Sequence, residues 1–309
     1  MTYAWQPACS IELIRLRARV LHEIRLFFYA ENVLEVETPV LCHAIGTDPF
    51  LDFFSTAELT GKQPSLYLQT SPEFAMKRLL AAQTGSIYQI TKAFRKGELG
   101  RLHNPEFSML EWYRVGYDLR QVMDDAELLL GRLLPEEYFS EPATRLCYAN
   151  VFQQYTGLNA LQFDLECYQL VAEKRGLFDA IRLCANDHSS WLDFLFSHIV
   201  QQELVKYGVC MIYDYPACLP SLARLNTDNP LTVARVEVFV NGIELANGYY
   251  ELADPQQQRQ RFEQEILIRE RNGADRVQQD ERFLAALQNG LPACSGIAIG
   301  LDRLLMIIS

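Results

Sequence analysis

The amino-acid sequence predicts an α+β fold: an antiparallel sheet with helices packed against it. Three observations carry this expectation. Asn241-Gly242 separates two β-rich runs, 233–240 and 243–249, and Asn-Gly in that setting is a strong signal for a two-residue hairpin. Two further runs, 87–95 and 107–115, are joined by a polar loop and read as a second antiparallel pair. The helical patterns gather between these pairs instead of alternating with single strands, which speaks against βαβ units.

Taken in order, Ser10 N-caps a helix from Ile11 to about Glu31, with Ile14, Ala18, Leu21 and Phe28 on one face. A short strand at 33–36 stops near Pro39, and another runs over 66–70. Ser71-Pro72-Glu73 then opens a helix with a cap, a proline in the first turn and an acid near the positive end of the dipole. Helices follow at 118–134, 164–175, 190–206, 255–272 and 281–289, and a last strand at 296–300 leads into a helix at Leu301. There is no repeat, low-complexity tract or linker; length alone suggests roughly two domains, although α/β domains of this size can be single. The segment 46–64 matches no pattern.

A chain that is 49% hydrophobic and 22% charged can bury a full core, which excludes a disordered chain, a collagen-like chain and a disulfide miniprotein. Its net charge of −11 argues against a general nucleic-acid binder, because phosphate contacts need a clustered positive face. A local basic groove stays open, and acidity favours a small-molecule substrate or a basic partner. The first residues lack the regions of a signal peptide, and no apolar run approaches the ~20 residues that cross a bilayer. Eight scattered cysteines without a C-x-x-C pair read as reduced, mostly buried thiols, with no structural zinc site. The expectation is a cytoplasmic protein without a membrane partner.

Three constellations carry chemistry. In the run from His103-Asn104-Pro105-Glu106 to Tyr113, strand alternation lines up Phe107, Met109, Glu111 and Tyr113 beside Arg95, which ends the neighbouring strand. An aromatic, a carboxylate and a phenol on one face suit a nucleotide plus an amine; an amphipathic hairpin with a solvated Glu111 would look the same. Glu237 and Glu244 flank the Asn241-Gly242 turn and could converge on Mg²⁺, or simply be solvated or paired to Arg235. In Gly296-Ile297-Ala298-Ile299-Gly300-Leu301-Asp302-Arg303 one strand face is nearly bare, so a ligand or another element packs closely there.

Together these stretches resemble the signature motifs of class II aminoacyl-tRNA synthetases, specifically the lysyl-tRNA synthetase catalytic domain. Val33-Leu34-Glu35-Val36-Glu37-Thr38-Pro39 resembles motif 1, Phe94-Arg95 through Glu111 motif 2, and Gly300-Leu301-Asp302-Arg303 motif 3. Lysine specificity is suggested by His103-Asn104-Pro105-Glu106-Phe107 and by Glu244-Leu245-Ala246-Asn247-Gly248-Tyr249-Tyr250-Glu251-Leu252. The motif 1 helix starts near residue 10, which leaves no room for an N-terminal OB anticodon-binding domain. Ser71-Pro72-Glu73 and Leu110-Glu111-Trp112-Tyr113-Arg114 are similar to truncated paralogs of that synthetase, which attach β-lysine to elongation factor P.

The resemblance implies a reaction and a division of labour. A carboxylate attacks the α-phosphorus of ATP to give an aminoacyl-adenylate; the nucleophile is already ionised at pH 7, so positioning and charge neutralisation dominate over base catalysis. Arg95 and Arg303 are the implied catalytic residues, Arg95 on the α-phosphate and Arg303 with Phe107 sandwiching adenine. Asn104 touches ATP, and Lys96, Gly97, Glu98, His103, Glu244, Leu245 and Gly300 complete its site. Glu237 and Glu244 hold Mg²⁺. Glu73, beside Ser71 and Pro72, takes the backbone-side amine; Tyr113 and Glu251 take the distal ammonium; Asn247 and Tyr249 line the pocket. Ala298, where the synthetases usually have glycine, and Ser71, where they have alanine, are candidates to tune α- against β-lysine, although Ser71 is equally an N-cap before Pro72. The implied partners are elongation factor P as acceptor, not tRNA, and a second copy of the chain as a homodimer. Part of the −11 charge is expected around the site mouth, guiding a basic acceptor loop. No residue announces itself as base for the acceptor amine.

The chain departs from the family pattern in two ways. The family's glutamate two residues after the motif 2 arginine is replaced by Gly97, with Glu98 following, and only six residues follow Arg303. Both departures would suit a non-catalytic paralog that binds lysine or nucleotide; retention of Arg95, Glu237, Glu244 and Arg303 speaks for an enzyme.

Overall fold

The computed structural model describes residues 5–56, 66–138, 142–219 and 221–309. Helix α1 (Ile11–Ala30) starts where Ser10 Oγ accepts the Leu13 N–H, as the sequence predicts. Its core face is rotated from the expected one: Val20, Ile24, Phe27 and Phe28 are buried, whereas Ile14 is 44% exposed. Strands β1 (Leu34–Glu35), β2 (Leu41–Cys42), β3 (Ser55–Thr56) and β4 (Leu66–Leu68) follow, then α2 (Glu73–Ala81), β5 (Ile87–Phe94), β6 (Glu106–Val115) and α3 (Leu119–Leu133). Next come β7 (Thr144–Cys147) and the helices α4 (Tyr148–Thr156), α5 (Leu165–Lys174) and α6 (Asp179–Cys184). Helix α7 (His188–Leu195) continues through a π turn into α8 (Gln201–Glu203) and a 3₁₀ turn. The chain ends with β8 (Val209–Pro216), β9 (Thr232–Val240), β10 (Ile243–Tyr250), α9 (Pro255–Arg271), α10 (Glu281–Gly290), β11 (Cys294–Gly300) and α11 (Leu301–Ile308).

Eight strands form one sheet in the order β1-β5-β6-β11-β10-β9-β8-β7. The six central strands are antiparallel, but β1 pairs with β5 and β7 with β8 in parallel, so the sheet is mixed at both edges. Segments 41–42 and 55–56 pair with β4 in a small second sheet, which gives structure to part of the stretch that matched no pattern; residues 57–65 lie outside the described ones. Among the described residues, no helix is long and apolar enough to cross a membrane. All eight cysteines are free, but only Cys184, Cys210 and Cys294 are buried, fewer than expected.

Alternation sends successive side chains to opposite faces of the sheet. One face carries Leu110, Trp112, Val236, Val238, Ile297 and Ile299, covered by α1, α3 and α11. The other is packed at two places, by α4–α7 over β8 and β9, and by α2, α9 and α10 around Tyr113 and Cys294. A cavity is left between these two clusters.

On the covered face one ion pair fastens β6 to α3. Asp125 accepts from Arg114 Nε at 2.8 Å, Arg114 NH2 at 2.6 Å and Trp112 Nε1 at 2.9 Å, and both charged side chains are 5% exposed. Removing Asp125 leaves the buried Arg114 with only the half-exposed Glu31, 3.3 Å from NH2, as a carboxylate partner. Asp125→Ala is therefore expected to lower stability by about 3–5 kcal/mol, read from the midpoint of urea unfolding.

Candidate active site

The pairing registers place the candidate residues in rows across the sheet. Glu111 lies opposite Ala298, Ala298 opposite Asn247, and Asn247 opposite Glu237. The next row runs from Tyr113 through Gly296 and Tyr249 to Arg235. Glu244 would point away from Asn247 by strict alternation, being three residues earlier. A one-residue bulge between Glu244 and Ala246 corrects the phase, so Glu244 pairs with Phe239 and shares the face of Glu237.

The bare strand β11 supplies the space. A Cβ on Gly296 would lie 2.5 Å from Tyr113 Cδ1 and 2.8 Å from Glu251 Oε1, so these two side chains occupy the room that a side chain at 296 would take. Beside them Tyr113 donates its hydroxyl to Glu111 Oε1 at 2.6 Å. Glu111 is 3% exposed; burial, with Glu73 and Glu251 nearby, pushes its carboxyl up to about 8. Lys77 Nζ stands 2.5 Å from Glu73 Oε1 and 2.5 Å from Glu251 Oε2, and these two carboxylates hold its ammonium above the ordinary lysine range despite burial. Glu111 makes no ion pair among the described residues. The arrangement suits an incoming ammonium.

The other half of the cavity is cationic and aromatic. The Arg95 guanidinium sits 5.1 Å over the Phe107 ring, with Nε toward the Thr70 carbonyl and NH1 3.6 Å from Glu98. Gly97 adopts φ 83, a left-handed turn that glycine makes freely, and it brings Glu98 to the cavity wall. Arg303, in the first turn of α11, donates to the Glu244 carbonyl at 2.7 Å and meets His103 Nε2 at 2.6 Å. The Phe107 ring thus has Arg95 over it, while Arg303 joins the motif 2 loop to β10. Asp302 accepts from the Ser108 N–H and pairs with Arg17 at 3.0 Å, tying α1, β6 and α11 at one point.

Glu237 is paired with Arg235 and accepts from the Tyr215 hydroxyl at 2.6 Å. Burial and neighbouring Glu244 push it up to about 7, against the pull of Arg235. Glu244, with Oε2 3.6 Å from Arg303 NH1, shares this face, and two carboxylates so placed are hard oxygen donors of the kind Mg²⁺ takes.

The cavity encloses about 1140 Å³ and is lined by Ser71, Glu73, Arg95, Glu98, His103, Asn104, Phe107, Glu111, Tyr113, Glu244, Leu245, Asn247, Tyr249, Glu251, Ala298, Gly300 and Arg303. Pro72, Lys96, Gly97 and Glu237 lie off its wall. The helix after Ser71 also differs from the expectation: Pro72 occupies the cap position, and Ser71 Oγ accepts the Glu73 N–H at 3.4 Å. Sequence reasoning missed Lys77, for which the Glu73-to-Lys77 spacing of four was the available signal. It placed Glu111 on the right strand face but gave it no part in the implied amine site. It also missed the 44–51 wall, where Thr47 bonds Glu265 and Arg269 donates to the carbonyls of Asp48 at 2.6 Å and Leu51 at 2.8 Å.

Comparison with known proteins matches residues 7–309 to the tRNA synthetases class II (D, K and N). The elongation factor P–(R)-β-lysine ligase of Vibrio atlanticus is 43% identical, over 99% of this chain and 94% of its own length. The protein of the same name from Vibrio vulnificus is 44% identical over 98% and 93%, and that from Pasteurella multocida 42% over 98% and 93%.

The two glycines of β11 differ in what surrounds them. A Cβ on Gly300 would meet nothing nearer than 3.9 Å. Gly296→Ala is expected to lower stability by about 1–3 kcal/mol and Gly300→Ala to leave it nearly unchanged, as read from urea unfolding midpoints.

Proposed function

The chain belongs to the class II tRNA synthetase (D, K and N) family, and from that premise we propose that it activates (R)-β-lysine or lysine with ATP and transfers it to a lysine side chain of elongation factor P. The observation that carries this reading is the single cavity with Glu73, Glu111, Tyr113 and Glu251 at one end and Arg95, Phe107 and Arg303 at the other. An amine pocket joined to a site for a polyphosphate and a base is what aminoacyl-adenylate formation needs. The names of the 41–44% identical relatives support the same substrate and acceptor.

In this reading the diamino acid enters with its distal ammonium toward Glu111, Tyr113 and Glu251 and its other amine toward Glu73. A buried carboxylate facing an ammonium is strongly favoured over an unpaired one, which rejects amino acids with an apolar side chain. The substrate carboxylate attacks the α-phosphorus, an anhydride bond forms and pyrophosphate leaves. Arg95 neutralises charge at the α-phosphate, and Arg303 and Phe107 hold the adenine. Glu244 with Glu237 would hold Mg²⁺, which when bound neutralises the polyphosphate. The acceptor amine then attacks the activated carbonyl and AMP leaves. Acidic groups on the wall, among them Glu37, Asp48, Glu98 and Asp280, suit an approaching basic loop.

We further assign residues 1–309 to one catalytic domain, working in the cytoplasm as a homodimer and without tRNA. Ile11, Leu26, Tyr29, Leu34 and Leu41 expose apolar surface along α1, β1 and β2, with Tyr29 85% exposed, and a symmetric copy would cover it.

Incubation with ATP, elongation factor P and each lysine isomer, followed by intact-protein mass measurement, tests the reaction. A mass gain of one aminoacyl group is expected with at least one isomer, and no gain with any isomer overturns the reading. A proton count tests the pocket. Glu111, pushed up to about 8, is mostly protonated at pH 7, and an ammonium bound to it requires the ionised form. Diamino acid binding at pH 7 is therefore expected to release a proton, and affinity to rise with pH up to about 8 and level off above it, where that release fades. Calorimetry in buffers of different ionisation enthalpy measures both.

A further inference from the structure

Lys77 lies one turn after Glu73 on α2, and its side chain is 1% exposed. Besides Glu73 and Glu251, each at 2.5 Å, its ammonium faces the Phe283 ring at 5.9 Å. A spacing of four along a helix accounts for the pair with Glu73 but not for Glu251, which arrives from the end of β10. A triad of this kind is poor evidence for stability, since apolar residues of similar volume often pack as well. Its purpose lies in the pocket that two of its members line.

Glu73, Glu111 and Glu251 are three carboxylates in one pocket, with Lys77 the ammonium placed among them. Resting on the amine-pocket reading above, we infer that Lys77 is a built-in ammonium that sets the pocket's specificity. It cancels one carboxylate and ties Glu73 to Glu251 at a fixed separation. Once Glu111 gives up its proton, the pocket is short of two positive charges at a set spacing, and a diamino acid supplies both. A monoamine supplies one and forgoes the second ion pair, with Glu111 left protonated. Lys77 is thus a positioning residue, acting through Glu73 and Glu251.

The test uses the full chain with Lys77→Met and Lys77→Arg, each checked for a thermal unfolding transition. Pyrophosphate exchange is measured with (R)-β-lysine, lysine and two monoamines, 2-aminohexanoate and 6-aminohexanoate. Lys77→Met is expected to raise KM for the diamino acids about tenfold or more, with a smaller change in kcat, and to narrow the gap to the monoamines. Lys77→Arg keeps the charge but moves the carboxylates apart. It should keep the rejection of monoamines and change the ratio of kcat/KM between the two lysine isomers by about threefold or more. A folded Lys77→Met with wild-type KM values and wild-type selectivity reduces Lys77 to a structural role and overturns the inference. If Lys77→Met does not fold, Lys77→Arg decides: an unchanged isomer ratio overturns it and a changed one supports it. Wild-type protein that exchanges pyrophosphate with neither isomer overturns the functional reading instead. Calorimetric binding of the same four compounds without ATP then reads the selectivity assigned to Lys77 directly.

Discussion

The site depends on a strand that has almost no side chains on one face. β11 runs through the middle of the sheet between β6 and β10, and Gly296 leaves open the volume that Tyr113 and Glu251 fill. The constraint extends to β10, since a Cβ on Gly248 would lie 2.8 Å from the Gly296 carbonyl and 2.9 Å from Ile297 Cβ. That crowding is on the face toward the apolar core, while on the cavity face carboxylates from three separate elements meet over the sheet. The floor of the cavity is made of backbone, and its chemistry comes from neighbours that lean across it.

Gathering carboxylates in a buried place is unfavourable, and the protein handles it in two ways. Glu73 and Glu251 share Lys77, whereas Glu111, its carboxyl pushed up by burial, takes a hydrogen bond from Tyr113. At the other end of the cavity Arg303 is held by short contacts to the Glu244 carbonyl and His103, and Arg95 by a longer ion pair with Glu98 and the ring of Phe107. Opposite charge at the two ends orients a molecule that carries ammonium groups at one end and joins phosphate at the other.

What was legible in the sequence follows from how local each signal is. The Asn241-Gly242 hairpin, the Ser10 cap and the β5–β6 pair are set by residues close together in the chain, and each formed near its expected bounds. β7 and β8 escaped because a parallel pair is closed by a long crossover, here the helices from α4 to α8, and leaves no turn signature. β8 is also a near-continuous apolar run, which periodicity cannot separate from a buried helix. Most of the cavity wall was legible through motif spacing. Lys77 and Arg269 were not, because a basic residue on a helix ordinarily reads as a solvated one; apart from Glu73 one turn before Lys77, the partners Glu251, Asp48 and Leu51 lie far away in sequence. The unmatched stretch around Thr47 gained meaning only through contacts from α9.

The bulge at Leu245 adds a constraint of another kind, on length instead of identity. Beyond it Asn247, Tyr249 and Glu251 face the cavity only because one extra residue precedes them, while Glu244 before it faces the same way. Loss of either residue between Glu244 and Asn247 would leave Glu244, Asn247, Tyr249 and Glu251 in the sequence and turn part of that set into the apolar core. Over these few positions the chain can exchange residue types far more freely than it can change its count. Counting is thus as much a part of this site as chemistry is.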